Sequence, residues 1–233
     1  MRGLFAEFDE KSKSEAVKKL ITESTPDKDF FFMVILSVLM ATLGLLLNNI
    51  PILIGSMLIA PLLSPILSLS LGIVIADGSL ISRSFYTLLR SILISVFLSA
   101  VISFLFLPLV DVWAGGAYTD WSTYFVYFAV AVVAGLAASF SAIAPNINAI
   151  LPGSAIAVTL IPPVAAMGIG MAQFNWAVIS GAFLVFCVNA LGIVFSALIM
   201  FSLMNLYEKK YIVKRAVKKE DHLNHVEQKS NLK

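Results

Sequence analysis

Asn48-Asn49-Ile50-Pro51-Ile52-Leu53-Ile54-Gly55-Ser56-Met57-Leu58-Ile59-Ala60-Pro61-Leu62-Leu63-Ser64-Pro65-Ile66-Leu67 is the stretch whose reading decides the fold. It carries no charge, it is about as long as a helix that crosses a bilayer, and proline interrupts it. Moving outward, no Asp, Glu, Lys, Arg or His occurs from Phe30 to Ala76, nor from Trp121 to Tyr207. Hydrophobic residues make up 59% of the 233 and charged residues 13%, with a mean hydropathy of +0.93. Ordinary soluble domains hold about 45–50% apolar and about 25% charged residues. A water-soluble globule of this size has too little interior to hide the excess. The expected fold class is therefore all-α, an integral membrane bundle.

Six spans are expected. The first runs from about Phe30 to Leu47, with Thr25 as cap, Pro26 at the first turn and Asp27 and Asp29 favouring its positive end. The second, about Pro51 to Ala76, is interrupted by Pro61 and Ser64-Pro65 and closed by Asp77-Gly78. The third is about Ser84 to Leu107 and the fourth about Thr123 to Ala144. The fifth, about Asn148 to Ala172, is broken at Pro162-Pro163, and the sixth covers about Asn175 to Asn205. Domain limits follow: 1–29 a cytoplasmic N-terminal segment, 30–107 one transmembrane block, 108–122 an outer loop, 123–205 a second block, 206–233 a basic cytoplasmic tail. Residues 1–29 lack the short apolar core and cleavage site of a signal peptide, so the first span is expected to be retained.

Loop charge sets the orientation. Of the 16 basic residues, 6 precede residue 30, 2 are Arg83 and Arg90, and 8 follow residue 208. Six crossings gather all of them on the cytoplasmic side of a cell membrane, with both termini, and put Asp111 and Asp120 outside. Trp113, Trp121 and Trp176, with Tyr118 and Tyr124, then fall at outer boundaries. The alternative makes both broken runs re-entrant hairpins, leaving four spans and placing Arg83 outside, against the charge bias.

The two broken runs match at a constant offset of 98. Asn48 pairs with Asn146, Leu53 with Leu151, Gly55-Ser56 with Gly153-Ser154, Leu62 with Leu160, Pro65 with Pro163 and Gly72 with Gly170. Each sits in a block of span, broken span, span. Three is odd, so the second copy enters from the opposite face, as in secondary transporters whose sites lie between discontinuous helices. A proline inside a span frees a carbonyl that hydrocarbon cannot satisfy. Both breaks fall near mid-bilayer at about 1.5 Å of rise per residue. Ser64 before Pro65 reads as an N-cap opening a half-helix. The alternative is a pair of proline kinks healed by neighbouring helices, with no site.

The quoted stretch, together with Leu151-Pro152-Gly153-Ser154-Ala155-Ile156-Ala157-Val158-Thr159-Leu160-Ile161-Pro162-Pro163-Val164-Ala165, resembles a family of prokaryotic membrane proteins known only as an uncharacterised hydrophobic domain of unknown function. The resemblance spans roughly residues 30–205. It implies a polytopic inner-membrane protein and carries over no substrate and no site residue.

The polar remainder supplies the candidate substrate path. Asn48 and Asn49 flank one break on the outer side, and Asn146 and Asn148 the other on the inner side. They either cap the broken spans or ring the mouths of a path. Ser56, Ser64, Pro65, Ser154, Thr159, Pro162 and Pro163 lie in or beside the half-helices, where hydroxyls also bond back to their own helix. Asn189 lies midway along the last span, where burying an amide demands a partner. Ala131, Gly135 and Ser139 form a stripe for close helix packing within or between subunits, and a homo-oligomer, at its simplest a dimer, is expected. Arg90 either snorkels to the surface or charges a vestibule. Near the start, Ser12 and Glu15 fit a capping box, and Val17, Leu20 and Ile21 form the apolar face of a short helix on the membrane surface. In the tail, Lys209, Lys210, Lys214, Arg215, Lys218 and Lys219 are expected to meet anionic membrane lipid. His222, His225 and Asp221 read as solvated rather than metal-binding.

Several classes fall away. A net charge of +2, confined to the ends, does not suit nucleic acid. One cysteine, Cys187, permits neither a disulfide framework nor a cysteine metal site. The spans hold no carboxylate, His or Lys for catalysis, so no enzyme and no cofactor are expected. The expected function is a small secondary transporter or facilitator for a small polar or anionic solute, working by alternating access of inverted repeats. An oligomeric channel lined by the broken helices, or a structural, lipid-organising protein, are the alternatives.

Overall fold

The computed structural model describes Val17, Lys18 and residues 20–22, 28–106, 121–143 and 150–206. Among them the chain is helical, with no strand. The helices are α1 (Lys28–Leu46), α2 (Ile50–Ile59), α3 (Leu63–Val74), α4 (Gly78–Phe106), α5 (Trp121–Ile143), α6 (Ile150–Ala172) and α7 (Trp176–Leu203). By length and apolarity α1, α4, α5 over Tyr124–Ile143, and α7 can each cross a membrane; α2 and α3, bent by 53°, make a fifth if taken as one span. The described apolar stretch of α6, Thr159–Ala172, is shorter. Of the six expected crossings, four or five are thus met, and the helices are those of a multi-pass membrane protein.

The side-chain distribution agrees. The buried face of α4 consists of Leu80 and then Ser84, Thr87, Ser91, Ser95, Ser99 and Ser103, while Phe85, Leu89, Leu93, Phe97 and Phe104 point outward. A helix in water buries the opposite set. Hydrocarbon around the bundle explains the inversion, because small side chains let helices approach and lipid accepts the large apolar ones.

One corner is built three times. α1 passes to α2, α3 to α4 and α6 to α7 through a residue in the left-handed region: Asn48 (φ 49°), Ala76 (φ 52°) and Phe174 (φ 55°). The next residue donates its N–H back to a glycine carbonyl: Asn49 to Gly44 at 2.8 Å, Asp77 to Gly72 and Asn175 to Gly170 at 2.9 Å. That same residue caps the following helix. Asn49 accepts from Ile52 N, Asp77 from Leu80 N, and Asn175 from Ala177 N and Val178 N, at 3.1–3.3 Å. Closeness favours glycine here, since a Cβ would lie 3.0, 3.1 or 3.2 Å from the backbone N of Leu53, Ile81 or Ile179 and the corner would have to open by a few tenths of an ångström. The second and third corners stand 98 residues apart at every one of these positions. Alanine in the left-handed region is strained, so Ala76→Gly should stabilise the protein by about 1 kcal/mol, read as a rise in thermal midpoint in detergent.

Helix directions follow from paired contacts. The Arg90 guanidinium lies 4.7 Å from the Phe31 ring centre, and Thr42 Oγ1 lies 2.9 Å from Ser99 Oγ. Ascending α1 from 31 to 42 therefore ascends α4 from 90 to 99, and the two helices run parallel. α5 and α7 do likewise: Gly192 lies against Phe128 and Ala131, and Gly135 against Ile193 and Ser196. The packing stripe read at Ala131, Gly135 and Ser139 thus serves a contact within the chain. Between each parallel pair, the α2–α3 segment or α6 returns the chain along the bundle. α6 packs against every other described helix, and its residues from Ile156 to Ile169 are buried almost without interruption. The third helix of each block packs on the middle segment of the other, α4 on α6 and α7 on α3.

Residues 17–22 depart from the expectation. Val17, Leu20 and Ile21 are buried in the bundle core, and Ser68 Oγ on α3 donates to the Leu20 carbonyl at 2.9 Å. The apolar face is turned into the protein, where a helix on the membrane surface would leave it to lipid.

Candidate functional site

Proline decides the first break. Pro61 pushes Ala60 out of the helical region (φ −66°, ψ 120°), so α2 stops at Ile59. The carbonyls of its last turn lose their donors. Ser37 Oγ on α1 supplies one of them, donating to Ser56 O at 2.8 Å, while Ser56 Oγ turns back to Leu53 O at 2.6 Å. α3 then begins at Leu63 behind Leu62, which offers no side-chain cap. Ser64 is therefore not the N-cap. It sits with Pro65 inside the first turn, buried and bonded, because a proline at the third helical position removes an N–H that has no intrahelical partner anyway. The chain breaks at residues 60–62, a few residues before the expected place.

The second expected break is absent. α6 runs as one helix through Pro162 and Pro163. Pro163 cannot donate to Thr159 O, and Asn189 on α7 does so instead: Nδ2 lies 2.6 Å from that carbonyl. A neighbouring helix thus heals the gap, which is how prolines persist in membrane helices. The broken fifth span, and with it a discontinuous helix in both blocks, is corrected to a single interrupted segment, α2–α3.

Asn189 is completely buried, and among the described residues its Oδ1 has no hydrogen-bond partner. With Nδ2 fixed on Thr159 O, the amide cannot turn to use it. Thr159 Oγ1 donates to Ile156 O at 2.8 Å. Close by in the chain, Ala165 O accepts from Ser99 Oγ at 2.7 Å, and Thr42 Oγ1 bonds Val38 O at 2.7 Å beside Ser99. α1, α4, α6 and α7 therefore meet the proline region through hydroxyls and one amide. Its chemistry is that of hydrogen-bond acceptors and weak donors, without charge.

The structure brings together Asn189, Thr159 and Pro163, and separately ties Ser56 to α1. Asn48 and Asn49 are exposed at a corner, where Asn48 takes the left-handed turn and Asn49 caps α2. Asn146 and Asn148 lie outside the described residues, as do the acidic loop around Asp111 and the basic tail; Ser154 falls where only the helix is described. Ser37, Thr42 and Ser99 were not anticipated. For Ser99 the signal is the run of hydroxyls at three- and four-residue spacing along the buried face of α4; Ser37 and Thr42 stand on α1, outside that run. Arg90 is exposed with its guanidinium on Phe31. An open cleft of about 600 Å³ between the ends of α3 and α7 is lined by Val74, Leu198, Ile199, Ser202 and Leu203, none of them a path candidate. No group of three or more His, Cys, Asp or Glu that could hold a metal occurs among the described residues.

An uncharacterized protein of Methanocaldococcus jannaschii is 29% identical over 221 residues, covering 91% of this chain and 68% of its own. No solved structure matches the chain. The family match spans residues 57–195, from the first half of the broken segment through the helix that carries Asn189. The chain belongs to the family defined by the domain of unknown function DUF389.

Proposed function

We propose that the protein is a small secondary transporter or facilitator of the cell membrane, moving a small polar or anionic solute by alternating access of two inverted three-helix blocks. The buried, unpartnered Asn189 Oδ1 carries this reading. An amide held at mid-span with an open acceptor is costly in a purely packed core, and a solute that offers an N–H or O–H would complete it. The block symmetry is supported by the twofold exchange of contacts, α4 on α6 and α7 on α3, and by the corners 98 residues apart. The parallel runs of α1 with α4 and of α5 with α7 support the middle segments as crossings, six in all, with both termini cytoplasmic. The same reading includes a basic tail on anionic lipid and a homo-oligomeric assembly.

Proteoliposome flux tests it. Osmotic swelling in glycerol or urea and uptake of chloride or nitrate are compared for wild type, Asn189→Ala and Asn189→Asp, each first shown to be monodisperse. We expect one of these solutes to cross faster than in empty liposomes, with Asn189→Ala reducing the rate by about tenfold, the worth of one buried hydrogen bond. Wild-type vesicles no leakier than empty ones would leave the structural reading. Steps of constant conductance in planar bilayers would leave the channel.

A further inference from the structure

The segment around residues 17–22 is rich in charge: Lys11, Lys13, Glu15, Lys18, Lys19 and Glu23 lie within thirteen positions. Such a segment stays beside water. Yet its apolar face is fully enclosed. Val17 and Ile21 are 0% exposed, whereas Lys18 and Thr22 are exposed. Its Leu20 carbonyl is held by Ser68, itself 0% exposed and six residues before the end of α3. At about 1.5 Å per residue, that contact lies about 9 Å inside the α3–α4 corner. A water-loving segment and an interior hydroxyl of the broken span therefore share one place.

From this juxtaposition we propose that residues 17–22 are a displaceable plug, seated in an aqueous mouth whose wall includes Ser68 and the inner face of α3. A piece this short has little helical stability of its own, so its order comes from docking. Five residues, 23–27, tether it to α1, which keeps its local concentration high and its undocking reversible. When it leaves, the half-helix after the Pro61 break is open to the side on which the N-terminus lies. This rests on the transport reading in taking α3 as part of the path and the N-terminus as cytoplasmic.

The test reads water at Ser68 directly. Ser68→Cys is made in a Cys187→Ser background and exposed, in inside-out vesicles, to a charged methanethiosulfonate that cannot enter lipid. With the native segment, Cys at 68 should react slowly. Ile21→Glu, which puts a carboxylate where nothing is exposed, should raise the rate by about tenfold or more by favouring the undocked state. Ile21→Thr is the milder variant, keeping the β-branch and replacing the ethyl arm with a hydroxyl, and should fall between. Fast labelling with the native segment would show that it seals nothing. Slow labelling in both variants would show that no water lies beneath it. Either result overturns the plug, and neither depends on whether any solute is transported, so failure here and failure of the flux experiment are separate outcomes.

Discussion

Gly168→Leu should prevent the bundle from assembling, and Gly168→Ala should weaken it measurably. At this residue α6 crosses α4 so closely that an added Cβ would stand 2.7 Å from the Val96 carbonyl oxygen and against the Ser99 side chain. A flexible neighbour could turn aside, but a backbone carbonyl moves only with its helix. Separating the helices would stretch the Ser99–Ala165 hydrogen bond of 2.7 Å and open gaps along both. Overpacking by single methylenes typically costs about 1–3 kcal/mol. At about 2 kcal/mol for alanine, a chain of this size should melt about 5 °C lower. Leucine adds three more carbons to the same place. Thermal unfolding in detergent, with size-exclusion profiles for the leucine variant, makes the measurement. Gly78→Ala is the control, because a Cβ there meets nothing within 4 Å. A Gly168→Ala protein as stable as wild type would disprove the crossing.

Asn189 and Pro163 should prove energetically coupled. Asn189→Ala alone leaves Thr159 O without a donor in a buried helix, a loss of about 1–3 kcal/mol if no water replaces it. Pro163→Ala restores an N–H at the position that normally serves residue 159, so the helix can close its own bond. In that background Asn189→Ala should cost less, by about 1 kcal/mol, toward the upper part of the range measured for hydrogen bonds between membrane helices. Unfolding of the four proteins by SDS titration gives the coupling. Strictly additive costs would mean that Asn189 does not serve the carbonyl that proline frees.

The apolar runs, the proline break and the capping asparagine at Asn49 were legible because each is a local rule: composition, a missing N–H, a side chain reaching its own backbone. The errors lie where a distant partner decides. Pro162-Pro163 reads as a break when α6 is considered alone, and α7 cancels it from 26 residues away through Asn189. Ser64-Pro65 fits both the first and the third helical position, and Pro61 settles which one by ending α2 early. Val17, Leu20 and Ile21 show the periodicity of an amphipathic helix, but periodicity does not say whether the apolar side meets lipid or protein. The hydroxyl stripe of α4 was visible throughout, yet serine at every fourth place in a hydrophobic span draws little notice until the neighbouring glycine is seen against it.

That stripe bears on movement. Thr87 and Ser91 give their protons to carbonyls of their own helix, Arg83 O and Thr87 O, whereas Ser99 gives its proton to Ala165 O on α6. From Thr87 to Ser103 the hydroxyls recur every four residues, a repeat of about 6 Å along the axis. A slip of α4 by one repeat superposes the hydroxyls only if the helix also turns by about 40°, because four residues overshoot a full turn. Movement along this stripe is thus a screw rather than a slide, and it has to break the 2.7 Å bond from Ser99 Oγ to Ala165 O.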